Sequence, residues 1–350
     1  MSAADVVTQE QLAERESLNP LIDAAIDHEK WPVARLVSLF ESEPASPAEK
    51  ARVYLKRQAV LNRLIKHRNG QRALVVGITG TPGAGKSSLI NEVSHRLLRA
   101  DSKLSVAIIA VDPSSQVSGG ALLGDRTRVR FANNDKRLFF RSQASHLELG
   151  GLGKKTFQAV RLLKLLFDVV IVETVGIGQS ELEINQLSDI TCLVLQPLTG
   201  DQVQFMKAGI MEVPNVFIVN KCDENELAQR SYHLLKSSLK LISISVDKEV
   251  KSSKPVFLTS ALKQTGIDQL TDYLLEQKHS QEVYKDSSQQ EDFFLRKWIR
   301  KQYGDYGIKV YNRLMPAAED SLLASSSARL LPGAANLKQT PDNNAGKHKS

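Results

Sequence analysis

The chain has 350 residues, enough to bury a full hydrophobic core and to carry helical additions beside it. Its 42% hydrophobic and 24% charged residues match ordinary globular proteins and exclude bulk disorder. The net charge of +7 suits an anionic ligand, but 46 basic against 39 acidic residues, with Lys338, Lys347 and Lys349 in the tail, is too small an excess to argue for a nucleic-acid partner.

The N-terminal stretch MSAADVVTQEQLAERES carries acids early and has no apolar core, unlike a secretory signal, and it is neither Arg-rich nor acid-poor as a mitochondrial presequence would be. No apolar run reaches membrane-spanning length, so membrane insertion is not expected and the predicted location is cytoplasmic. Cys192 and Cys222 sit in or beside apolar runs and are expected as free thiols.

Residues 1–70 read as an N-terminal helical region. Ser46, Pro47, Ala48 and Glu49 form a capping box with proline at the first helical position, where its missing N–H costs nothing. Tyr54, Leu61, Leu64 and Ile65 follow at helical spacing, and Asn69-Gly70 ends the run.

Residues 71–278 alternate short apolar strands with helix-length segments. The predicted strands are Leu74–Ile78, Val106–Val111, Leu138–Phe140, Val169–Val172, Thr191–Leu195, Val216–Val219 and Val256–Leu258; the predicted helices include Ser88–Arg99, Thr156–Phe167 and Glu224–Leu241. Near-continuous apolar strands imply cover on both faces, so the fold class is α/β: a mostly parallel central sheet with right-handed crossovers. Residues 279–332 read as a C-terminal helical extension with an amphipathic stretch at Phe293–Tyr303, and residues 333–350 have the composition of a disordered tail.

Gly80, Thr81, Pro82, Gly83, Ala84, Gly85, Lys86 and Ser87 match G-x4-G-K-[S/T] between a predicted strand and a helix opening at Ser88, which is the context a P-loop needs. Such a loop wraps its backbone N–H groups around phosphate; Lys86 would reach the β- and γ-phosphates and the Ser87 hydroxyl would ligate Mg²⁺. Val216–Val219 runs directly into Asn220, Lys221, Cys222 and Asp223, an N-K-x-D at a strand end. The Asp223 carboxylate can accept from guanine N1–H and its amino group, a donor pair adenine lacks, and the Lys221 stem can cover the base. Thr259, Ser260, Ala261 and Leu262, after the next strand, supply the small-residue loop whose backbone meets guanine O6. The nucleotide is therefore expected to be GTP with Mg²⁺.

Asp168–Gly176 delivers Glu173 to the C-terminal end of a strand, where ligands bind in open α/β sheets. Glu173 is a candidate Mg²⁺ acid, and Gly176 is placed to meet the γ-phosphate and lose it on hydrolysis. Asp112 ends its strand in the same way, as a metal-shell or water-positioning acid. The glycine-rich loop beyond it carries Asp125, and Gln179 is a candidate for orienting water.

Ala110–Ser115 (AVDPSS), Ser118–Arg128 (SGGALLGDRTR), Gly150–Gly153 (GGLG), Glu173–Glu181 (ETVGIGQSE) and Gly200–Glu212 (GDQVQFMKAGIME) together resemble the MeaB/ArgK group of P-loop GTPases, which includes the methylmalonic aciduria type A protein. The resemblance implies a homodimeric G protein of the class that holds the signal-recognition-particle and metallochaperone GTPases. It implies a chaperone for adenosylcobalamin-dependent acyl-CoA mutases, typically methylmalonyl-CoA mutase, that couples GTP hydrolysis to cofactor loading. It would place Asp112, Asp125 and Glu173 around Mg²⁺, and would make Asp201, Lys207 and Glu212 part of an extra switch read by the mutase. Ser243–Lys254 departs from the group as a short polar connection. Two other readings stand beside this one. A kinase of amino-acid transport proteins would need an acceptor pocket, and a nickel-type metallochaperone would need clustered ligands where His28, His67, His95, His146 and His233 are scattered.

Overall fold

The computed structural model describes residues 17–112, 135–144, 152–174, 180–197, 210–246 and 254–314. Within them the apolar runs become seven strands: β1 (Leu74–Gly80), β2 (Val106–Asp112), β3 (Leu138–Ala144), β4 (Val169–Glu173), β5 (Ile190–Leu195), β6 (Val216–Val219) and β7 (Val256–Leu258). They form a single sheet in the order β3-β2-β4-β1-β5-β6-β7, every neighbouring pair parallel. The chain leaves β1 in one direction and returns on its other side at β5, so the crevice at the C-terminal ends of β1, β4 and β5 is the ligand position for this kind of sheet.

The helices that accompany the sheet include α1 (Lys30–Glu41), α2 (Pro47–Arg68), α3 (Lys86–Ala100), α4 (Lys154–Leu163), α5 (Ser180–Leu187), α6 (Asn225–Val246), α7 (Ile267–His279) and α8 (Ser287–Leu314). Strand periodicity divides their cover. Leu74, Val76 and Ile78 of β1 point to the face packed by Leu89, Val93 and Leu97 of α3 and by Leu270 and Leu274 of α7. Val75 points to the opposite face, where Phe157 and Val160 of α4, Ile184 of α5 and Phe294 of α8 lie. Leu36 and Phe40 of α1 and Leu61 and Leu64 of α2 join that same cluster, so the N-terminal helices share the sheet's core. A fully buried Phe40 alone removes apolar surface worth about 1.5–3 kcal/mol. Leu235 of α6 and Met211 cover Leu193, Leu195, Phe217 and Val219.

The local signals act as read. Ser46 Oγ accepts from the Glu49 amide at 3.2 Å while the Ser46 amide donates to Glu49, and Asn69 closes α2 at φ 45°. Two stretches differ from expectation. The helix expected to stop at Leu241 continues to Val246, through the first residues of the polar connection, because each residue added to a formed helix gains a backbone bond at little cost. The C-terminal amphipathic stretch is part of a longer helix, interrupted at Gly304 with φ 62° and ψ −158°. Beyond that break the chain folds back: Tyr311 Oη donates to Asp292 at 2.7 Å, and Arg296 pairs with both Asp292 and Asn312. Among the described residues no helix is long and apolar enough to cross a membrane.

Candidate functional site

β1 feeds the loop Gly80–Gly85 into the N-terminus of α3 at Lys86. The Lys86 ammonium is buried and donates to the carbonyls of Gly80 at 3.0 Å and Thr81 at 3.2 Å, so the loop closes around its own lysine. The Thr81 hydroxyl lies buried without a hydrogen-bond partner among the described residues. One residue on, Ser87 Oγ donates to Glu173 Oε1 at 2.7 Å. That contact exists because β4 lies beside β1 with Glu173 in register with Ile78, which turns the acid to the α3 side. A serine hydroxyl and a carboxylate in contact at a phosphate-loop helix are an all-oxygen donor pair, the chemistry a hard divalent cation prefers. Among the described residues no cluster of three His, Cys, Asp or Glu side chains offers an all-protein cage. The Ser87–Glu173 pair suits Mg²⁺, which takes one or two protein oxygens and leans on phosphate and water for the rest of its shell.

Asn220, almost wholly buried at the end of β6, joins two loops. Its Nδ2 donates to the Ala84 carbonyl at 2.8 Å, and its Oδ1 accepts from Thr259 Oγ1 at 3.1 Å and the Ala261 amide at 3.3 Å. Asp223 Oδ1 accepts from Ser260 Oγ at 2.5 Å, and Lys263 Nζ reaches the Asp223 carbonyl at 2.6 Å. The aspartate is therefore held with its carboxylate oriented by the next strand's loop. Lys221 takes a left-handed φ of 63°, and its ammonium lies 3.4 Å from Gln196 Oε1; Gln196 Nε2 in turn approaches the Pro82 carbonyl at 3.5 Å. Leu262 stands exposed beside this group. Cys222, between Lys221 and Asp223, is a free thiol pushed up to about 11 chiefly by burial, and buried Cys192 is pushed up to about 12. Both stay neutral and unreactive at ordinary pH.

Asp112 ends β2, two strands from β1, buried and accepting from Ser142 Oγ of β3. Glu212 lies exposed at the end of a short turn, Ile210–Glu212, with its carbonyl bonded by Lys254 Nζ. The structure thus brings Gly80–Ser88 against Glu173, joins them through Asn220 to Lys221, Asp223 and Ser260–Leu262, and sets Asp112 on the same sheet edge. Asp125, Gly176, Gln179, Asp201 and Lys207 lie outside the described residues. Two polar residues of this edge belong to none of the sequence motifs. Gln196 follows the last residue of β5 at the topological switch, so position marks it. Nothing local marks Ser142.

A model of the family described as methylmalonyl Co-A mutase-associated GTPase MeaB matches residues 33–305. A GTPase-named protein of Pyrococcus abyssi is 38% identical over 264 residues, 75% of this chain and 76% of that one. The mitochondrial methylmalonic aciduria type A homolog of Mus musculus is 36% identical over 252 residues, 71% of this chain and 60% of that one. A crystal structure described as an LAO/AO transport system kinase superposes with a TM-score of 0.59 at 28% identity, covering 87% of this chain and 88% of that one. The family match spans the sheet, the phosphate loop and the N-K-x-D loop together, and the chain belongs to the MeaB family of P-loop GTPases.

Proposed function

We propose that this GTPase is a chaperone that gates the loading and protection of adenosylcobalamin in a B12-dependent acyl-CoA mutase such as methylmalonyl-CoA mutase. The observation that carries the reading is the match of residues 33–305 to a family described by its association with that mutase. The site's geometry supports the chemistry such a role needs. Asp223, oriented by Ser260, selects guanine by accepting from N1–H and the amino group. Asn220 ties the base side to the phosphate side, so occupancy of one loop steadies the other. Lys86 leaves the loop carbonyls for the phosphates and stabilises negative charge on the transferring phosphoryl group, while water attacks the γ-phosphorus and GDP departs.

Ser87 and Glu173 would hold Mg²⁺, and Asp112 and Asp125 would be the further acids around it. When bound, the ion neutralises charge on the phosphate oxygens. Gly176 and Gln179 answer to the γ-phosphate, and Asp201, Lys207 and Glu212 carry that state to the mutase. The working form is a homodimer in the cytoplasm.

The test is GTP hydrolysis by the purified chain, alone and with methylmalonyl-CoA mutase titrated in. Saturable stimulation at fixed stoichiometry is expected. A slow GTPase that ignores the mutase would overturn this partner. The kinase description of the solved relative motivates a second reading, phosphoryl transfer to a transport protein. Release of all γ-phosphate as inorganic phosphate in the presence of candidate acceptors would dismiss it.

A further inference from the structure

Helix α5 lies between the nucleotide side and the C-terminal helix. It is the first described element after Glu173, and it rests directly on β1, the strand that runs into the phosphate loop. At Gly77 of β1 an added Cβ would stand 2.5 Å from Ile184 and 2.7 Å from Ser188 Oγ, so helix and strand are in backbone-level contact. α5 therefore cannot shift without disturbing β1, and the reverse also holds.

α5 is also gripped by polar contacts from α8 and the segment before it. Lys285 Nζ donates to the carbonyl and side chain of Asn185, and Gln290 Nε2 to the Leu187 carbonyl at 3.3 Å. The central contact is an ion pair, Lys297 Nζ to Glu183 Oε1 at 2.7 Å, with the two side chains 25% and 14% exposed. Glu183 also accepts the Leu152 amide on its other oxygen, and Lys297 donates to the Leu152 carbonyl at 3.3 Å. Three elements, α5, the entry to α4 and α8, thus meet on one carboxylate. Below it Phe294 is fully buried against Phe157 at 4.8 Å, and Trp298 closes on the same ring at 5.4 Å. An apolar seat of this kind would hold α8 in place without any charge. The pair adds a fixed register between α8 and α5, and it does so where solvent screening is weak.

We propose that Glu183 and Lys297 are positioning residues for the GTPase site: they tie the helix after Glu173 to α8, so that nucleotide state and the placement of α8 are one equilibrium. This rests on the assignment of the nucleotide to the phosphate loop and Glu173. A ligand that moves α5 must then break or re-form the contact, and a change in α8 must alter the site in return. Among the described residues Lys297 is bonded to Glu183 and to the Leu152 carbonyl, and it acts on the site through that junction rather than by touching it.

The chain's two tryptophans are Trp31 and Trp298, so Trp31→Phe leaves a single reporter next to Lys297. In that background, GDP and a non-hydrolysable GTP analogue are bound to the full chain in turn, and two signals are read: Trp298 emission and amide hydrogen exchange over 287–303. The expected result is a difference between the two nucleotide states of roughly 2- to 30-fold in exchange, the range over which substitutions along a coupling route act. Lys297→Met and Glu183→Gln should each remove the difference while GDP affinity, read with a fluorescent analogue, stays within about twofold, and Lys297→Arg should restore it. A merely structural contact would lower stability in both variants yet leave the nucleotide-dependent difference intact, and that outcome overturns the proposal. So does a parent chain that binds nucleotide with no response in α8. A parent chain that binds no guanine nucleotide overturns the site assignment and this proposal together, which separates the two failures.

Discussion

Gly85 shows how little room the site leaves at single positions. Its φ is 82°, and a Cβ there would lie 2.6 Å from Asn220 Nδ2. Asn220 cannot swing aside freely, because its other amide atom accepts from Thr259 and Ala261. Gly85→Ala therefore combines left-handed backbone strain of about 1–2 kcal/mol with loss of the Asn220–Ala84 bond, worth about 1 kcal/mol. The expected outcome is a chain destabilised by about 2–3 kcal/mol in urea titration, with GDP affinity down at least about tenfold because both loops lose their common tie. Gly304→Ala is the control. Its φ of 62° with ψ −158° is a region essentially confined to glycine, so the backbone strain is at least as large, but nothing lies within 4 Å of the added carbon. It should cost stability alone and leave GDP affinity unchanged; equal losses of affinity in both variants would show that the Asn220 contact is not what matters.

At the scale of elements, Asp168 holds the N-terminal edge of the sheet as Asn220 holds the C-terminal edge. Its carboxylate accepts from the Ser105 amide at 3.0 Å and hydroxyl at 2.7 Å ahead of β2, and pairs with Arg68 at the end of α2 at 3.1 Å. Burial acts to raise the Asp168 carboxyl, but the Ser105 hydrogen bonds and the Arg68 charge outweigh it and hold it below the usual carboxylate range. A carboxyl depressed in the folded state contributes stability above its unfolded value, and loses that contribution as pH falls through the depressed folded value. Asp168→Asn should thus cost about 1–2 kcal/mol at neutral pH, allowing for partial exposure, and the deficit should shrink at acid pH. Urea midpoints of the two chains that stay equally far apart at acid and neutral pH would refute this account. Because Asp168 precedes β4 and Glu173 ends it, GTP turnover per folded molecule should not change.

The same elements explain how much of the molecule is legible in its amino-acid sequence. β1, β2 and β4–β6 can be read there because strands buried on both faces must be apolar throughout, and the phosphate loop and N-K-x-D because their chemistry lies in contiguous residues. Ser142 and Gln196 cannot, since their roles depend on which strand lies beside which, a matter of register between distant segments. Glu183 and Lys297 fail for the same reason: each reads locally as a solvated charge on a helix. The fold-back after Gly304 has a glycine as its only local sign, and a glycine within a helical pattern is as often tolerated as disruptive.

For the whole molecule, the core and the site are one cooperative object, since β1 belongs to both apolar faces and to the phosphate loop. A ligand bound at the loop must therefore stabilise the entire chain by mass action. At a hundredfold excess over its dissociation constant this amounts to about 2.7 kcal/mol, roughly 4 °C in the unfolding midpoint for a chain of 350 residues. GDP with Mg²⁺ should give that rise and ADP should give none, because only guanine offers Asp223 its donor pair. Asp223→Asn reverses the demand: the amide can donate to the carbonyl of xanthine where the carboxylate could only accept, and its oxygen can keep the Ser260 bond. The variant should lose most of the rise with GDP and gain one with xanthosine diphosphate, while its own midpoint without nucleotide stays near that of the parent. A variant still stabilised by GDP to the parent's extent would place the base somewhere other than beside Asp223, and would leave the Asn220 tie as a purely structural joint between two loops.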